Sequence, residues 1–223
     1  MSFNIAIDGP AGAGKSTIAR AAAQELGFLY VDTGAMYRAI GLGLLRKGTD
    51  LASDGALEAA LADIEVGLGY EDGAQQVYLN GENVSSLIRT EQVGNMASSA
   101  AARPQVRAKL TELQRGIARR ENVLMDGRDI GTVILPEAQL KIYLTASVET
   151  RAMRRYQELT AKGETYSLEQ IAEDIRDRDY RDMHREVAPL CQAEDAVLVD
   201  SSDMTIREVT DRIICLAKER MEG

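Results

Sequence analysis

The chain has little with which to build a covalent or metal staple. Its two cysteines in 223 residues, Cys191 and Cys215, are too few for a disulfide framework and form no CxxC pair. Its one histidine, His184, cannot complete a zinc site of the usual ligand spacing. Cations are outnumbered, with 26 Lys and Arg against 35 Asp and Glu, a formal charge of −9. That balance argues against a nucleic-acid-coating role, which needs a basic surface to neutralise phosphates. It leaves room for a small, locally basic site for a phosphorylated metabolite. No run of about 18 apolar residues occurs, so no membrane span is expected. The opening MSFNIAIDGP has neither a basic n-region nor a long apolar stretch, so no secretory leader is expected and the location implied is cytoplasmic. Internal repeats and low-complexity linkers are also missing.

What is present is ordinary globular composition, 45% apolar and 27% charged. At this length a core can bury roughly 70–75% of the unfolded surface without staples. Short apolar runs alternate with helical periodicity, the signature of an α/β fold with a mostly parallel sheet. Strands are expected at Asn4–Asp8, Phe28–Asp32, Asn122–Asp126, Leu140–Thr145 and Ala196–Asp200. Helices are expected over Lys15–Leu26 and Thr33–Arg46. Another follows from Val106, Leu110, Leu113 and Ile117, which repeat on one helical face. Thr205 and Glu208 form a capping-box pattern for a last helix with Ile206, Val209, Ile213 and Leu216 on one face. Cys215, on that helix, is expected to fill the core. Between about 50 and 100 the pattern weakens, and Glu65–Tyr70 and Gln75–Leu79 read as short antiparallel strands, with Asn80-Gly81 as a tight turn. This stretch reads as an insertion. A second irregular region, about 151–186, is rich in charge of both signs.

The strongest motif is Gly9-Pro10-Ala11-Gly12-Ala13-Gly14-Lys15-Ser16-Thr17, which satisfies GxxxxGK[ST] between an apolar strand and a helix. The bare pattern would arise by chance in about one chain of this length per hundred, and the strand–loop–helix context lowers that further. Its glycines let backbone N–H groups wrap a polyphosphate at a helix N-terminus. Lys15 should reach the β- and γ-phosphates of a nucleoside triphosphate, and the Ser16 hydroxyl should ligate Mg²⁺. Kinases, GTPase switches and motors share such a loop. No NKxD-like base-reading segment follows, and a motor would need coupling elements this chain lacks.

Three further segments bear on the choice. Asp32-Thr33-Gly-Ala-Met-Tyr37-Arg38 follows the second strand at the rim where open α/β sheets bind ligands. Helix capping explains Asp32 or Thr33 but leaves Arg38 arbitrary. Asp126-Gly-Arg128-Asp129 follows a later strand. There an arginine can clamp a phosphate, and an aspartate can accept from an exocyclic amine. After Ser167, the stripe Leu168, Ile171, Ile175 continues through Arg178, Asp182 and Arg185, with Arg181 one turn from both arginines. Alone that is a solvated face laced with ion pairs. Beside a triphosphate loop, it suits a movable segment that neutralises phosphoryl charge and excludes water.

GPAGAGKST, DTGAMYRA, DGRDIGT and RDRDYRDMHREVAPL, in this order and spacing, resemble the bacterial cytidylate (CMP) kinases, over essentially the whole chain. The resemblance implies a P-loop nucleoside monophosphate kinase fold. It would have a five-stranded parallel sheet flanked by helices, a small antiparallel sheet inserted in the monophosphate-binding subdomain, and a short lid. The core would comprise 1–32, 101–150 and 187–223, the monophosphate-binding subdomain 33–100, and the lid 151–186. Gly9–Thr17 would hold ATP, with Mg²⁺ on Ser16. Arg38 and Arg128 would hold the CMP or dCMP phosphate, and Thr33 and Tyr37 would line that pocket. Ser98, Arg107 and Asp129 would face the cytosine or its surroundings. Arg178 and Asp182 would lie near the sugar and transferred phosphate, and Arg185 near the acceptor. Lys15, Arg128, Arg178 and Arg181 would be the catalytic cations. A broader UMP/CMP kinase is the first alternative, and a non-catalytic ATP-dependent switch is a second. No apolar stripe is left over, so a monomer is expected, without nucleic-acid or membrane partners.

Overall fold

The computed structural model describes residues 2–71, 73–161 and 163–222. They fall into two compact units, Met1–Tyr30 with Ala118–Gly223, and Val31–Ile117.

A sheet runs in the order β2-β6-β1-β7-β8, with β1 (Asn4–Asp8), β2 (Leu29–Asp32), β6 (Val123–Gly127), β7 (Leu140–Thr145) and β8 (Val197–Asp200); its residues belong to the first unit except Val31 and Asp32, where the chain passes into the second. It is the expected five-strand parallel sheet flanked by helices. Ile5 sits opposite Leu124 and Leu140, and Ile7 opposite Asp126 and Ile142. With both faces covered, the central strands are near-continuous apolar runs, and every residue of VLMDG in β6 is buried. Helix α1 (Lys15–Leu26) presents Ile18, Ala19, Ala22 and Ala23 to the sheet core, alongside Val209, Ile213 and Leu216 of α8 (Ile206–Glu222). Gly27 ends α1 at φ 69°, and the Phe28 N–H returns to the Ala23 carbonyl, a Schellman closure. Thr205 and Glu208 exchange the expected capping-box bonds. Two details of α8 differ from expectation. Ile206 is 58% exposed in the first turn, and Cys215 is exposed, with its thiol directed to Glu219. The buried face runs through 209, 213 and 216, so position 215 points away from the core.

Two helices lie in the charged region. α6 (Val148–Ala161), not foreseen from sequence, and α7 (Leu168–His184) share a small core of Ala152, Leu159 and Ile171. Ser167 and Gln170 cap α7 reciprocally. Leu168, expected on the apolar stripe, is 39% exposed because it lies in the first turn, ahead of that core.

The second unit centres on α2 (Thr33–Arg46), α4 (Glu91–Ala100) and a three-stranded antiparallel sheet, β3 (Val66–Glu71), β4 (Ala74–Leu79) and β5 (Glu82–Asn83). α3 (Asp54–Ala62) and α5 (Pro104–Ala118) complete it. Asn80 and Gly81, both at positive φ, turn β4 into β5. Helices α2 and α4 cross closely at Gly41, where an added Cβ would stand 3.0 Å from the Ala97 nitrogen. No helix among the described residues is long and apolar enough to cross a membrane.

Candidate active site

In the first unit, β1 runs into the glycine loop and the loop into α1. Gly9 adopts φ +150°, and a Cβ there would stand 1.9 Å from the Leu144 carbonyl oxygen, so only glycine fits beside β7. Gly14 enters α1 in the left-handed conformation. Lys15 is buried, and its Nζ donates to the carbonyls of Gly9 and Pro10, both at 2.7 Å. Burial, then repulsion from Arg128, holds its pKa well below the ordinary lysine value, against the pull of Asp126, Asp8 and Asp182.

Ser16 Oγ donates to Asp126 Oδ2 at 3.0 Å, and the Tyr30 hydroxyl donates to Asp126 Oδ1 at 2.9 Å. Asp126 stands near the C-terminal end of β6, next to β1 in the sheet. Among the described residues no cluster of three His, Cys, Asp or Glu forms an all-protein metal cage. A hydroxyl and a carboxylate are the hard oxygen donors that fit Mg²⁺ held mainly by substrate phosphates and water. From sequence Asp126 is the end of a strand and the start of the DGRD motif, with no metal-binding role expected of it. Its place on the strand beside β1, level with the phosphate loop, was the available signal.

Arg128, just past β6, donates from Nε to Asp182 Oδ2 of α7 at 2.9 Å. Asp129 is buried, and its carboxylate lies 3.5 Å from Arg185 Nη2. Arg185 Nε in turn donates to the Ala188 carbonyl at 2.7 Å. Burial pushes the Asp182 carboxyl up, but the charge and hydrogen bond of Arg128, with Arg178 and Arg185, outweigh it and hold the pKa below the usual value. The structure thus gathers Lys15, Arg128, Asp129, Arg178, Asp182 and Arg185 into one alternating cluster. Arg181 is not part of it. It is exposed, and its Nε donates to the Asp177 carbonyl of its own helix.

Asp8, at the C-terminal end of β1, is buried and accepts from the backbone N–H groups of Ile130 and Gly131. Its pKa is raised to about 6, chiefly by burial and further by Asp129, with the two amides and Lys15 opposing. Arg151 of α6, 4% exposed, lies beneath the phosphate loop. It donates to the carbonyls of Ala146 and Ala11 at 2.9 and 3.1 Å, and it pairs with Asp179 of α7 at 2.7 Å. Its stem would touch a Cβ placed on Gly12. Neither Asp8 nor Arg151 was singled out from sequence, since one reads as the end of a strand and the other as part of a charge run.

In the second unit, Asp32 caps α2 by accepting from the Ala35 N–H at 2.9 Å. Thr33 is buried in the first turn. Arg38 donates from Nη1 to the Ile88 carbonyl at 3.3 Å, with its guanidinium beside Gly94 of α4. The Arg107 guanidinium, 5% exposed, lies 5.8 Å from the centroid of the Tyr37 ring. Ser98 is half-buried on α4. Gln75 of β4 bonds the main chain of Asp32 twice, accepting from its N–H at 2.8 Å and donating to its carbonyl at 3.3 Å.

A family model described as cytidylate kinase matches residues 5–219. The chain belongs to the cytidylate kinase family. A cytidylate kinase of Ligilactobacillus salivarius is 48% identical over 218 residues, 98% of this chain and 97% of that protein. One from Anoxybacillus flavithermus is 47% identical over 99% of this chain and 98% of its own length. One from Streptococcus pneumoniae is 48% identical over 99% of each. A solved structure, an uncharacterized protein from Eubacterium ventriosum, aligns over 98% of this chain and 99% of its own at 12% identity and TM-score 0.53, a likeness of fold. The cytidylate kinase match covers all of the second unit, including the small antiparallel sheet, and all but the terminal residues of the first.

Proposed function

We propose that this cytidylate kinase family member transfers the γ-phosphoryl group of ATP to CMP and dCMP, giving CDP and dCDP. The carrying observation is that the phosphate loop, with its Lys15 and its Ser16–Asp126 pair, shares one unit with the Arg128–Asp182 cluster, in a chain matched along both units by the cytidylate kinase model.

The acceptor is a phosphate oxygen already ionised near neutral pH, so no strong general base is needed. The protein's task is positioning and charge stabilisation. Gly9–Thr17 hold the ATP phosphates, and Lys15 exchanges the Gly9 and Pro10 carbonyls for phosphate oxygens. Ser16, with Asp126 beside it, would hold Mg²⁺, which would supply neutralisation of phosphate charge. Arg128 turns its remaining donors to the acceptor phosphate while Asp182 fixes its Nε edge. Arg178 and Arg185 add positive potential from α7. In the second unit Arg38 binds the acceptor phosphate, Thr33 and Tyr37 line its pocket, and Ser98 and Arg107 serve the nucleoside. Asp129 accepts from the cytosine N4 amino group, where uracil offers only an acceptor oxygen. Arg181, facing solvent, joins this set only on movement of α7.

A coupled ADP-release assay with Mg·ATP and CMP, dCMP, UMP, AMP, GMP and TMP tests the proposal. Fast turnover confined to CMP and dCMP is expected. Comparable UMP turnover would overturn the cytosine specificity, and turnover with none would overturn the acceptor assignment.

A further inference from the structure

We propose that Asp8 is a positioning residue for the acceptor side of the site, holding the Arg128–Asp129 segment by capping the π-turn that follows it. The π-turn Ile130–Ile134 begins directly after Asp129. The Asp129 carbonyl accepts from both Val133 and Ile134, at 2.9 and 3.1 Å, and the Ile130 carbonyl accepts from Leu135 at 2.7 Å. An aspartate preceding such a turn ordinarily caps it with its own carboxylate. Here the Asp129 side chain makes no capping bond. The first two N–H groups of the turn go instead to Asp8, with Ile130 donating to Oδ1 at 2.8 Å and Gly131 to Oδ2 at 2.7 Å.

Two features explain why this cap is built from a buried carboxylate. Two N–H groups converge on one side chain from different residues, and only a carboxylate offers both an acceptor oxygen to each and no competing donor. An asparagine would turn an N–H₂ group towards one of them. The cap also stands on a strand that is paired on both sides. Asp8 ends the central strand, with Gly127 of β6 and Tyr143 of β7 as its register partners. A carboxylate supplied from β1 therefore spares that of Asp129, which faces Arg185. The position of Arg128 and Asp129 is fixed relative to the strand that leads into the phosphate loop.

This inference rests on assigning Arg128 and Asp129 to the acceptor, so its test combines an activity ratio with a readout independent of turnover. In Asp8→Asn, amide exchange of segment 128–134 should quicken at least about tenfold, the effect of losing a hydrogen bond to a charged group. Exchange across α1 should stay unchanged. The variant's kcat/KM for CMP should fall at least about tenfold, with KM for ATP within about threefold of wild type. Adding Asp8→Asn to Arg128→Ala should cost under about threefold more, because the two act through one segment. Unchanged exchange in 128–134, equal loss for both substrates, or full additivity would overturn the inference. Wild-type protein that ignores CMP would instead overturn the functional assignment while leaving the exchange result standing. Should the variant not fold, wild-type exchange decides. The Ile130 and Gly131 amides should exchange at least about 100-fold slower than free amides, and unprotected amides would refute the cap.

Discussion

The Arg151–Asp179 pair gives the most quantitative test of what holds α7 to the phosphate-loop side of its unit. The side chains are 5% and 12% exposed, and Asp179 Oδ1 is buried without a hydrogen-bond partner. Replacing Asp179 by leucine removes the carboxylate and leaves a buried guanidinium without its counter-ion, which costs about 3–5 kcal/mol. Over a chain of this length that lowers the melting temperature by roughly 6–20 °C. The double replacement Arg151→Met/Asp179→Leu removes the buried charge altogether. What it loses are the bonds to the Ala146 and Ala11 carbonyls, about 1 kcal/mol each, so it should cost about 2 kcal/mol and melt above the single variant. Thermal unfolding followed by circular dichroism reads both. Because the double variant frees the Ala11 carbonyl within the phosphate loop, its KM for ATP should rise even as its stability recovers. A single variant that costs less than about 1 kcal/mol, or a double as unstable as the sum of the singles, would refute this account of the pair.

Arg128→Ala removes the guanidinium that pairs with Asp182 and is proposed to hold the acceptor phosphate. It should lower kcat/KM for CMP at least about 100-fold, or ~3 kcal/mol, and near-normal kinetics would remove Arg128 from the site. Asp8 predicts a pH dependence of stability. Its folded pKa of about 6 lies above the ordinary aspartate value of 3.8, so the folded state binds the proton more tightly. Stability from this group is therefore present at low pH and lost as pH rises from 3.8 through about 6. Between pH 4.5 and 7 the loss is about 2 kcal/mol, and Asp8→Asn lacks it. Urea unfolding of both proteins at the two pH values should show that divergence.

The alternation of strands and helices was legible because each central strand is a short apolar run bounded by a glycine or a cap. Lys15–Leu26, Thr33–Arg46 and Leu140–Thr145 are observed with the expected bounds. The helices that escaped lack a continuous apolar stripe. α4 buries only Val93, Ala97 and Ala100, and one of the few residues α6 buries is Arg151. A buried arginine at a core position looks, in sequence, like a surface charge. The motif residues announced themselves by spacing, whereas Asp8, Arg151 and Gln75 act by meeting groups tens of residues distant, which spacing does not encode. Ile206 and Leu168 erred the other way, since periodicity extends a stripe into a first turn that has nothing to pack against.

The Gln75 contact bears on the outward-facing backbone at the end of β2. β2 is an edge strand, and alternation sends the N–H and C=O of Leu29 towards β6, where its N–H meets the Asn122 carbonyl. Those of Asp32 therefore point outward. An unpaired outward N–H and C=O on one residue is the template on which a strand from another molecule docks. The Gln75 amide fills that rung, donor to acceptor and acceptor to donor, as a neighbouring backbone would. A single side chain thus stands at the outward rung of Asp32 where a neighbouring strand would otherwise bond.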